Sequence, residues 1–396
     1  MGVRRIVLLV FLWQLAASIC YYAVFAATPF FRDQFGLSGT AVGLVVTSLT
    51  LGYAVFLLPL GAMTDRFGEH RTLTVGLVGL SAGAVLVAQA WSYPSLLVAA
   101  FLLGSLYGTA MPGTNKAIFD NVTQGRQNLA VGVKQVGVTA GSGASALLVT
   151  GIAGVLFWEA GFYIAAAGGL LVATAFWLVY RGTGAAEGAE YPDFRRLLAN
   201  RPYRSLVLAG AFLGASLFTT TGYTIIYMDE SIGSTVAFGG VVLAALQVSG
   251  SAGRLITGWL SDVLPGEPRQ RIGAILLAQT VASAALFAVV AVIDSTVAAA
   301  AAFVALGFFV LGFTGIYYSC MATLVPAEEM GSATGGGQLA LVAGALVAPP
   351  AFGYLSDVFS YEASWLMLAT LSLAATVFVV RVIVTEPPAD VAAAAE

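Results

Sequence analysis

Charged side chains are scarce in this chain of 396 residues: Asp, Glu, Lys and Arg make up 9% of it, and hydrophobic residues 59%. Soluble globular domains carry about 25% charged residues, so the composition excludes an ordinary soluble fold. A membrane-spanning helix needs about 20 consecutive apolar residues, and runs of that length recur from Ile6 onward. The sequence therefore predicts an all-α membrane protein with many spans.

Histidine and cysteine, which most often hold metals or act in catalysis, are almost absent. His70 is the only histidine, and Cys20 and Cys320 lie in separate apolar runs without motif spacing. A polytopic membrane enzyme would need a cluster of nucleophile, base or metal ligands. We therefore expect no enzyme, no metal and no cofactor. The net charge of −3 also argues against nucleic acid as a partner.

The apolar runs predict twelve spans in two groups of six. The first run, from Ile6 to about Ala27, exceeds the roughly 7 to 15 apolar residues of a signal peptide, so we expect a retained helix. The spans are predicted at 6–27, 39–62, 72–90, 95–118, 129–152, 160–181, 205–227, 237–260, 272–292, 297–325, 331–353 and 364–384. These form an amino-terminal bundle (1–181) and a carboxy-terminal bundle (205–396). The linker (182–204) contains "DFRRLLANR", which predicts a short amphipathic helix on the membrane surface.

Arginine and lysine indicate the orientation, because cytoplasmic loops retain positive charge. With both termini in the cytoplasm, only Arg32 of the 17 basic residues is external, while Lys134 and Arg254 lie within spans. The remaining basic residues, all in or beside cytoplasmic segments, are Arg4, Arg5, Arg66, Arg71, Lys116, Arg126, Arg181, Arg195, Arg196, Arg201, Arg204, Arg269, Arg271 and Arg381. We expect a multi-pass protein of the cytoplasmic membrane.

The two halves repeat each other. "GAMTDRFGEHR" (61–71) matches "GWLSDVLPGEPRQR" (258–271), and "AVGVKQ" (130–135) matches "ATGGGQ" (333–338). Such a duplication predicts two similar bundles around a pseudo-twofold axis, with a binding site at their interface.

The twelve predicted spans are numbered here as helices 1 to 12. The loop after helix 2 carries a glycine, an aspartate and an arginine in a recognisable order. The first copy of this signature consists of Gly61, Asp65, Arg66, Gly68 and Arg71, and its degenerate copy of Gly258 and Asp262. With the twelve spans and the symmetric halves, the signature resembles the major facilitator superfamily over the whole chain. Physically, Gly61 is expected to let two helices approach closely, and Asp65 to cap helix 3 or to pair with Arg71.

In that superfamily the signature forms an interdomain latch that stabilises the outward-facing state, and the resemblance implies this role here. Asp120, at the end of helix 4, matches the usual latch partner. By symmetry, Glu328 or Glu329 is expected to serve the second half.

The charges expected within the spans are positive, since no carboxylate falls near the middle of a span. Lys134 lies about six residues into helix 5, and Arg254 lies about 12 Å from Asp262 at 1.5 Å per residue. A buried cation costs on the order of several kcal/mol unless a negative group compensates it. An anionic substrate is the natural compensator, and we expect the two cations to face each other across the central cavity.

Other interpretations of these cations stay open. Lys134 can instead extend to the cytoplasmic surface or pair with Asp120. Arg254 can instead link to Asp262 or to the ends of neighbouring helices. Lys116, one helical turn before Asp120, is expected to form a salt bridge.

"GRLITGWLSD" (253–262) is similar to helix 8 of the monocarboxylate carriers and the oxalate:formate exchanger, in which an arginine binds the substrate carboxylate. The resemblance implies that role for Arg254, although superfamily members with other substrates share the pattern. A guanidinium matches a carboxylate with two parallel hydrogen bonds. The exchanger's second cation on helix 11 has no counterpart, because Gln338 stands at the position symmetric to Gln135. Lys134 is expected to supply that charge. Both glutamines are expected to contact the substrate.

Helices 1, 4, 7 and 10 line the cavity in this superfamily. The ligand contacts expected on them are Tyr21, Asn115, Tyr223 and Tyr317. Further tyrosines on these spans are Tyr22, Tyr227 and Tyr318. Tyrosines near helix ends also serve as interfacial anchors, so some of these are expected to do only that.

These features predict a monomeric secondary transporter of a small organic anion, a carboxylate, embedded in the lipid bilayer. Exchange, facilitated diffusion and symport with the proton on the substrate are all compatible with it. The alternative is an exporter of hydrophobic drugs or metabolites, whose cavity should tolerate loss of either cation. Drug–proton antiporters of the superfamily carry an arginine in helix 4, and "AAFLLGSLYG" (99–108) has none.

Overall fold

Twelve helices are long and apolar enough to cross a membrane, counted over the residues that the structure describes. The computed structural model describes residues 2–123, 126–182, 194–326 and 329–385. These ranges are almost entirely helical and contain no strand. The predicted all-α, twelve-span architecture is confirmed.

The first eight helices are α1 (Val3–Ala26), α2 (Thr28–Phe35), α3 (Gly39–Phe67), α4 (Glu69–Ala88), α5 (Tyr93–Tyr107), α6 (Ala110–Phe119), α7 (Gln127–Ala153) and α8 (Glu159–Val179). They are followed by α9 (Phe194–Ala199), α10 (Arg201–Glu230), α11 (Val236–Val263), α12 (Pro268–Val290), α13 (Thr296–Leu306), a π-helical segment (Gly307–Leu311), α14 (Phe313–Ala322), α15 (Met330–Val358) and α16 (Tyr361–Val384). The short helix expected near "DFRRLLANR" corresponds to α9, whose Leu197 is buried.

Two spans are interrupted where the sequence predicts single continuous helices. The fourth breaks at Gly108 and Thr109, between α5 and α6, shortly before Pro112. Proline has no N–H to donate, and its ring crowds the carbonyl four residues earlier. The tenth contains the π-helical segment, closed by a hydrogen bond of 3.1 Å from the Gly312 N–H to the Gly307 carbonyl. Each interruption changes the direction in which the following side chains point.

The described chain groups into two compact units. The first comprises Met1–Leu37, Leu44–Tyr191 and Thr235–Ala244, and the second Ser38–Gly43, Pro192–Ser234 and Ala245–Glu396. In the first unit α1 packs along α7, and α4 along α8. In the second, α10 packs along α15 and α16, and α12 along α16. The sequence predicts that each of α3 and α11 lies wholly within one bundle. In the structure the start of α3 groups with the second unit, and the start of α11 groups with the first.

The first turn of α3 belongs to the second unit because α15 and α10 hold it there. The Asp357 carboxylate accepts hydrogen bonds from the Gly39 and Thr40 N–H groups at 2.8 and 2.9 Å, and from the Thr40 hydroxyl at 3.0 Å. The Tyr223 hydroxyl donates to the Gly39 carbonyl at 2.7 Å. A carboxylate in this position satisfies N–H groups that a helix start leaves without partners.

Candidate functional site

Lys134 is buried inside the first unit, on the face of α7 that packs on α1. A Cβ added at Gly137 would lie 3.0 Å from the Phe11 carbonyl oxygen, and one at Gly141 would lie 2.6 Å from that of Leu15. The two glycines therefore allow the helix backbones to approach closely. Lys134 lies one turn before this contact and is only 4% exposed.

The ammonium group of Lys134 has a neutral partner. Its Nζ donates a hydrogen bond of 2.6 Å to Oδ1 of Asn115 on α6. Among the described residues, no carboxylate lies within 4.0 Å of it. Asp120 is engaged elsewhere, since its Oδ2 lies 2.8 Å from Nζ of Lys116. The amide orients the ammonium but leaves its charge uncompensated. Gln135, beside Lys134, is half-buried.

A polar and aromatic cluster lies further along α1. Nε2 of Gln14 donates to the Ser18 hydroxyl and to the Tyr107 hydroxyl, each at 3.3 Å. The Ser18 and Tyr107 hydroxyls lie 3.2 Å apart. The Tyr107 ring stacks on Tyr21 with centroids 4.1 Å apart, and Tyr53 contacts both rings edge-on. Sequence reasoning missed Gln14, although an amide within an apolar span is the signal that could have found it.

Arg254 lies on α11 in the second unit, next to the π-helical segment. Its Nε donates to the Leu311 carbonyl at 3.1 Å. Its positive charge also acts on the hydroxyl of Tyr318 on α14, which donates to Oε1 of Gln338 at 2.5 Å. Arg254, Tyr318 and Gln338, from three different helices, are thus brought together.

Two of the tyrosines expected to bind ligand have hydroxyls that contact backbone. Tyr223 donates to the Gly39 and Pro349 carbonyls at 2.7 and 2.9 Å, and Tyr317 to the Gly337 carbonyl at 3.4 Å. Both side chains are fully buried. In this conformation Tyr318, rather than its neighbour Tyr317, faces the polar group around Arg254.

The latch signature lies in a tighter turn than the sequence predicts. Asp65 is in the last turn of α3, which extends to Phe67, so only Gly68 separates α3 from α4. Gly68 has φ of 83°, a conformation that favours glycine. The sequence predicts that Gly61 allows two helices to approach closely, and this is not observed in this conformation. A Cβ added at Gly61 would lie 3.7 Å from Pro112, which is an ordinary van der Waals distance.

Electrostatically, Asp65 interacts with Lys116 and Asp120. The sequence also predicts that Asp65 caps the third span, which corresponds to α4. This cap is not observed, because Gly68 is the N-cap residue of α4 and no side chain accepts a capping hydrogen bond there. In the second copy, Asp262 is exposed and a Cβ at Gly258 would have open space. Arg66 and Arg71 lie on either side of the Gly68 turn.

Of the two acidic residues expected to serve the second half, Glu329 lies within the described residues. Glu328 lies outside the described residues. Glu329 Oε1 lies 2.9 Å from Nε of Arg196 on α9. Because Arg196 is 70% exposed, this ion pair contributes little to stability.

A model of the Major Facilitator Superfamily matches residues 10–341 of the chain. The chain belongs to that superfamily. The hexuronate transporter of Bacillus subtilis (strain 168) is 25% identical, over 95% of this chain and 93% of its own. Monocarboxylate transporter 13 of Rattus norvegicus is also 25% identical, over 83% and 77% respectively.

Among solved structures, a bacterial homologue of the human lysosomal transporter Spinster matches with a TM-score of 0.79 at 16% identity, covering 96% of each chain. That likeness concerns the superfamily fold. The chain is a multi-pass membrane transporter and not an enzyme, and its relatives include carriers of organic acids.

Proposed function

We propose that the protein is a secondary transporter that moves a small organic anion, a carboxylate, across the cytoplasmic membrane by alternating access. The observation that carries the proposal is the buried ammonium of Lys134, which has a neutral amide as its partner at 2.6 Å. The similarity to a hexuronate transporter and to a monocarboxylate transporter supports the same class of substrate.

The physical reason is the cost of leaving a cation uncompensated. An ammonium taken out of water is destabilised by on the order of several kcal/mol, and a hydrogen bond to one amide oxygen recovers only part of that. A substrate carboxylate beside Nζ would supply the missing negative charge, and Asn115 would keep the ammonium in position. Lys134 is therefore the proposed anion-binding group of the first unit.

Arg254 is the proposed anion-binding group of the second unit. Nε of its guanidinium donates to the Leu311 carbonyl, which orients the group. A guanidinium is a planar fork of five N–H donors that matches a carboxylate with two parallel hydrogen bonds. Tyr318 and Gln338 orient the polar surroundings. The remaining proposed contacts are Gln135, Gln338, Tyr21, Tyr223 and Tyr317.

The proposed transport mode follows from the placement of acids. Among the described residues the buried carboxylate of Glu69 stands at the start of α4, and the middle of the spans carries none. We propose exchange, facilitated diffusion, or symport with the proton carried on the substrate. The proposed topology has both termini in the cytoplasm, following the distribution of Arg and Lys.

The test is anion-dependent thermal stabilisation of the purified protein, followed by uptake into proteoliposomes. A panel of carboxylates, inorganic anions and lipophilic cations is compared for the wild type, Lys134→Gln and Arg254→Ala. Arg381→Gln, which removes an exposed positive charge at the end of α16, is the matched control. We expect stabilisation by a carboxylate that both site variants lose and the control keeps. Stabilisation by lipophilic cations alone, unchanged in the variants, would overturn the proposal in favour of an exporter of hydrophobic compounds.

A further inference from the structure

One hydroxyl of the tyrosine cluster has no hydrogen-bond partner among the described residues. It belongs to Tyr21, whose side chain is 1% exposed. The ring of Tyr107 stacks on that of Tyr21, and its hydroxyl by contrast forms hydrogen bonds with Gln14 and Ser18. Leaving a buried hydroxyl without a partner costs about 1–3 kcal/mol. An oxygen atom of a bound ligand would supply the hydrogen-bond partner that this hydroxyl lacks.

The cluster continues from the Lys134 site along one face of α1. Gly137 of α7 lies against Gln14, and Gly141 against Ser18, so the two helices run side by side in the same direction. Gln14, Ser18 and Tyr21 are spaced four and three residues apart, which places them on one helix face. Lys134 is three residues before Gly137, level with about residue 11 of α1.

At 1.5 Å per residue, Gln14 then lies about 5 Å beyond Lys134 along the helix axis and Tyr21 about 15 Å beyond it. Side chains of a helix lean toward its amino terminus, which directs the Tyr21 ring back toward Gln14 and the lysine. A cation therefore stands at one end of this face, and a row of amide and hydroxyl groups follows it.

We infer that the transported anion is a hydroxylated carboxylate, whose carboxylate binds Lys134 and whose hydroxyl groups bind Gln14 and Tyr21. This inference rests on the proposed function and specifies its substrate class. The Tyr21 hydroxyl gains a hydrogen-bond partner only from a ligand that carries an oxygen able to reach it while the ligand's carboxylate contacts Lys134. An unsubstituted carboxylate leaves it without one, and sites built to bind a hydroxyl reject analogues that lack it.

The hydroxyl groups can stand on an aliphatic chain or on an aromatic ring, and matched pairs of probes separate these sources. Gluconate is compared with hexanoate, and 3-(3-hydroxyphenyl)propionate with 3-phenylpropionate, by equilibrium binding to the purified full-length protein. The proteins are the wild type, Tyr21→Phe and Lys134→Gln. Tyr163→Phe, which removes an exposed hydroxyl from α8, is the control.

We expect the wild type to bind the hydroxylated member of at least one pair about 10- to 100-fold more tightly. Tyr21→Phe should reduce that preference about 10-fold, whereas Tyr163→Phe should leave the preference as it is in the wild type. Preference in the first pair identifies an aliphatic polyhydroxy acid, and preference in the second a phenolic acid.

Equal affinities within both pairs, or a preference that Tyr21→Phe leaves intact, would overturn the inference. If carboxylates still bind and Lys134→Gln abolishes that binding, the proposed function stands and only the hydroxyl selectivity fails. If no carboxylate binds the wild type, or binding is indifferent to Lys134→Gln, the proposed function and the inference fail together.

Discussion

The hydroxyl of Tyr180 donates a hydrogen bond of 3.0 Å to the carboxylate of Glu69, which joins the residue directly after α8 to the first turn of α4. Glu69 is completely buried, and Asn121 donates to the same hydroxyl at 3.1 Å. Burial, together with the negative charge of Glu69, raises the pKa of Tyr180 well above its usual value. The hydroxyl therefore stays protonated and remains a donor to the carboxylate near neutral pH.

Replacing Tyr180 with phenylalanine should destabilise the protein. The change removes a donor from a fully buried carboxylate, and a buried charged group that loses a hydrogen bond costs about 1–3 kcal/mol. Thermal unfolding of the purified protein measures the effect. Tyr163→Phe on the exposed face of α8 should shift the melting temperature far less, and equal shifts for the two variants would contradict a stabilising role for the Tyr180 bond.

Replacing Asn115 with aspartate should separate the fold of the Lys134 site from its binding. The new carboxylate would lie where Oδ1 now accepts the ammonium at 2.6 Å, and would neutralise it without any ligand. We expect the ligand-free protein to be at least as stable as the wild type and to lose carboxylate-dependent stabilisation. Asn115→Ala should instead lower stability. Carboxylate binding that survives in Asn115→Asp would show that Lys134 is not the anion-binding group.

Replacing Arg254 with alanine should abolish uptake while leaving expression and the melting temperature close to wild type, because the side chain is half-buried and lies outside the fully buried core. Arg254→Lys keeps the charge but loses the planar fork, so we expect uptake to fall by at least 10-fold there too. Uptake assays in proteoliposomes measure both. Near-normal uptake by Arg254→Ala would remove this arginine from the proposed site.

Replacing Asp357 with alanine should loosen the first turn of α3. The carboxylate accepts two backbone N–H groups at 2.8 and 2.9 Å, and losing such a cap costs about 0.5–2 kcal/mol. Hydrogen exchange of the Gly39 and Thr40 amides, compared with the melting temperature, localises the effect. Asp262→Ala, at an exposed position in the repeat-related signature, is the control. Unchanged exchange at both amides would contradict the capping role.

Two glycines of α7 should respond oppositely to alanine. A Cβ at Gly141 would meet the backbone of α1 at 2.6 Å, so Gly141→Ala must push the helices apart and lower stability. A Cβ at Gly132 would meet nothing within 4 Å, so Gly132→Ala should gain up to about 1 kcal/mol from helix propensity. Melting temperatures that move in the same direction would argue against the close packing of α7 on α1.

The twelve spans could be predicted because hydropathy depends only on local composition, and the same holds for the short helix α9. Lys134 and Asn115 could each be singled out, since a lysine or asparagine in a span is visible in sequence. Their pairing could not, because it depends on how α6 and α7 pack. The alternative pairing of Lys134 with Asp120 fits the spacing equally well, and the structure instead places Asp120 beside Lys116.

Side-chain direction was the least predictable feature. Tyr317 and Tyr318 are adjacent and chemically identical, and the interruption in their span decides which of them meets Gln338. Glu69 stands at a helix start, where an acid is usually solvated, and only the packing of α4 on α8 buries it against Tyr180. Tertiary contacts, which leave no trace in composition or spacing, determine both outcomes.

The π-helical segment Gly307–Leu311 sets the rotational phase of everything that follows it in the tenth span. A π turn accommodates one residue more than an α turn, and each residue of an α-helix advances it by about 100°. If the same residues formed a regular α-helix, Tyr318 would be rotated by about 100° around the axis, away from Gln338 and from the charge of Arg254. In this span, the extra residue in the π turn, rather than the type of residue, then determines which side chain lies near Arg254.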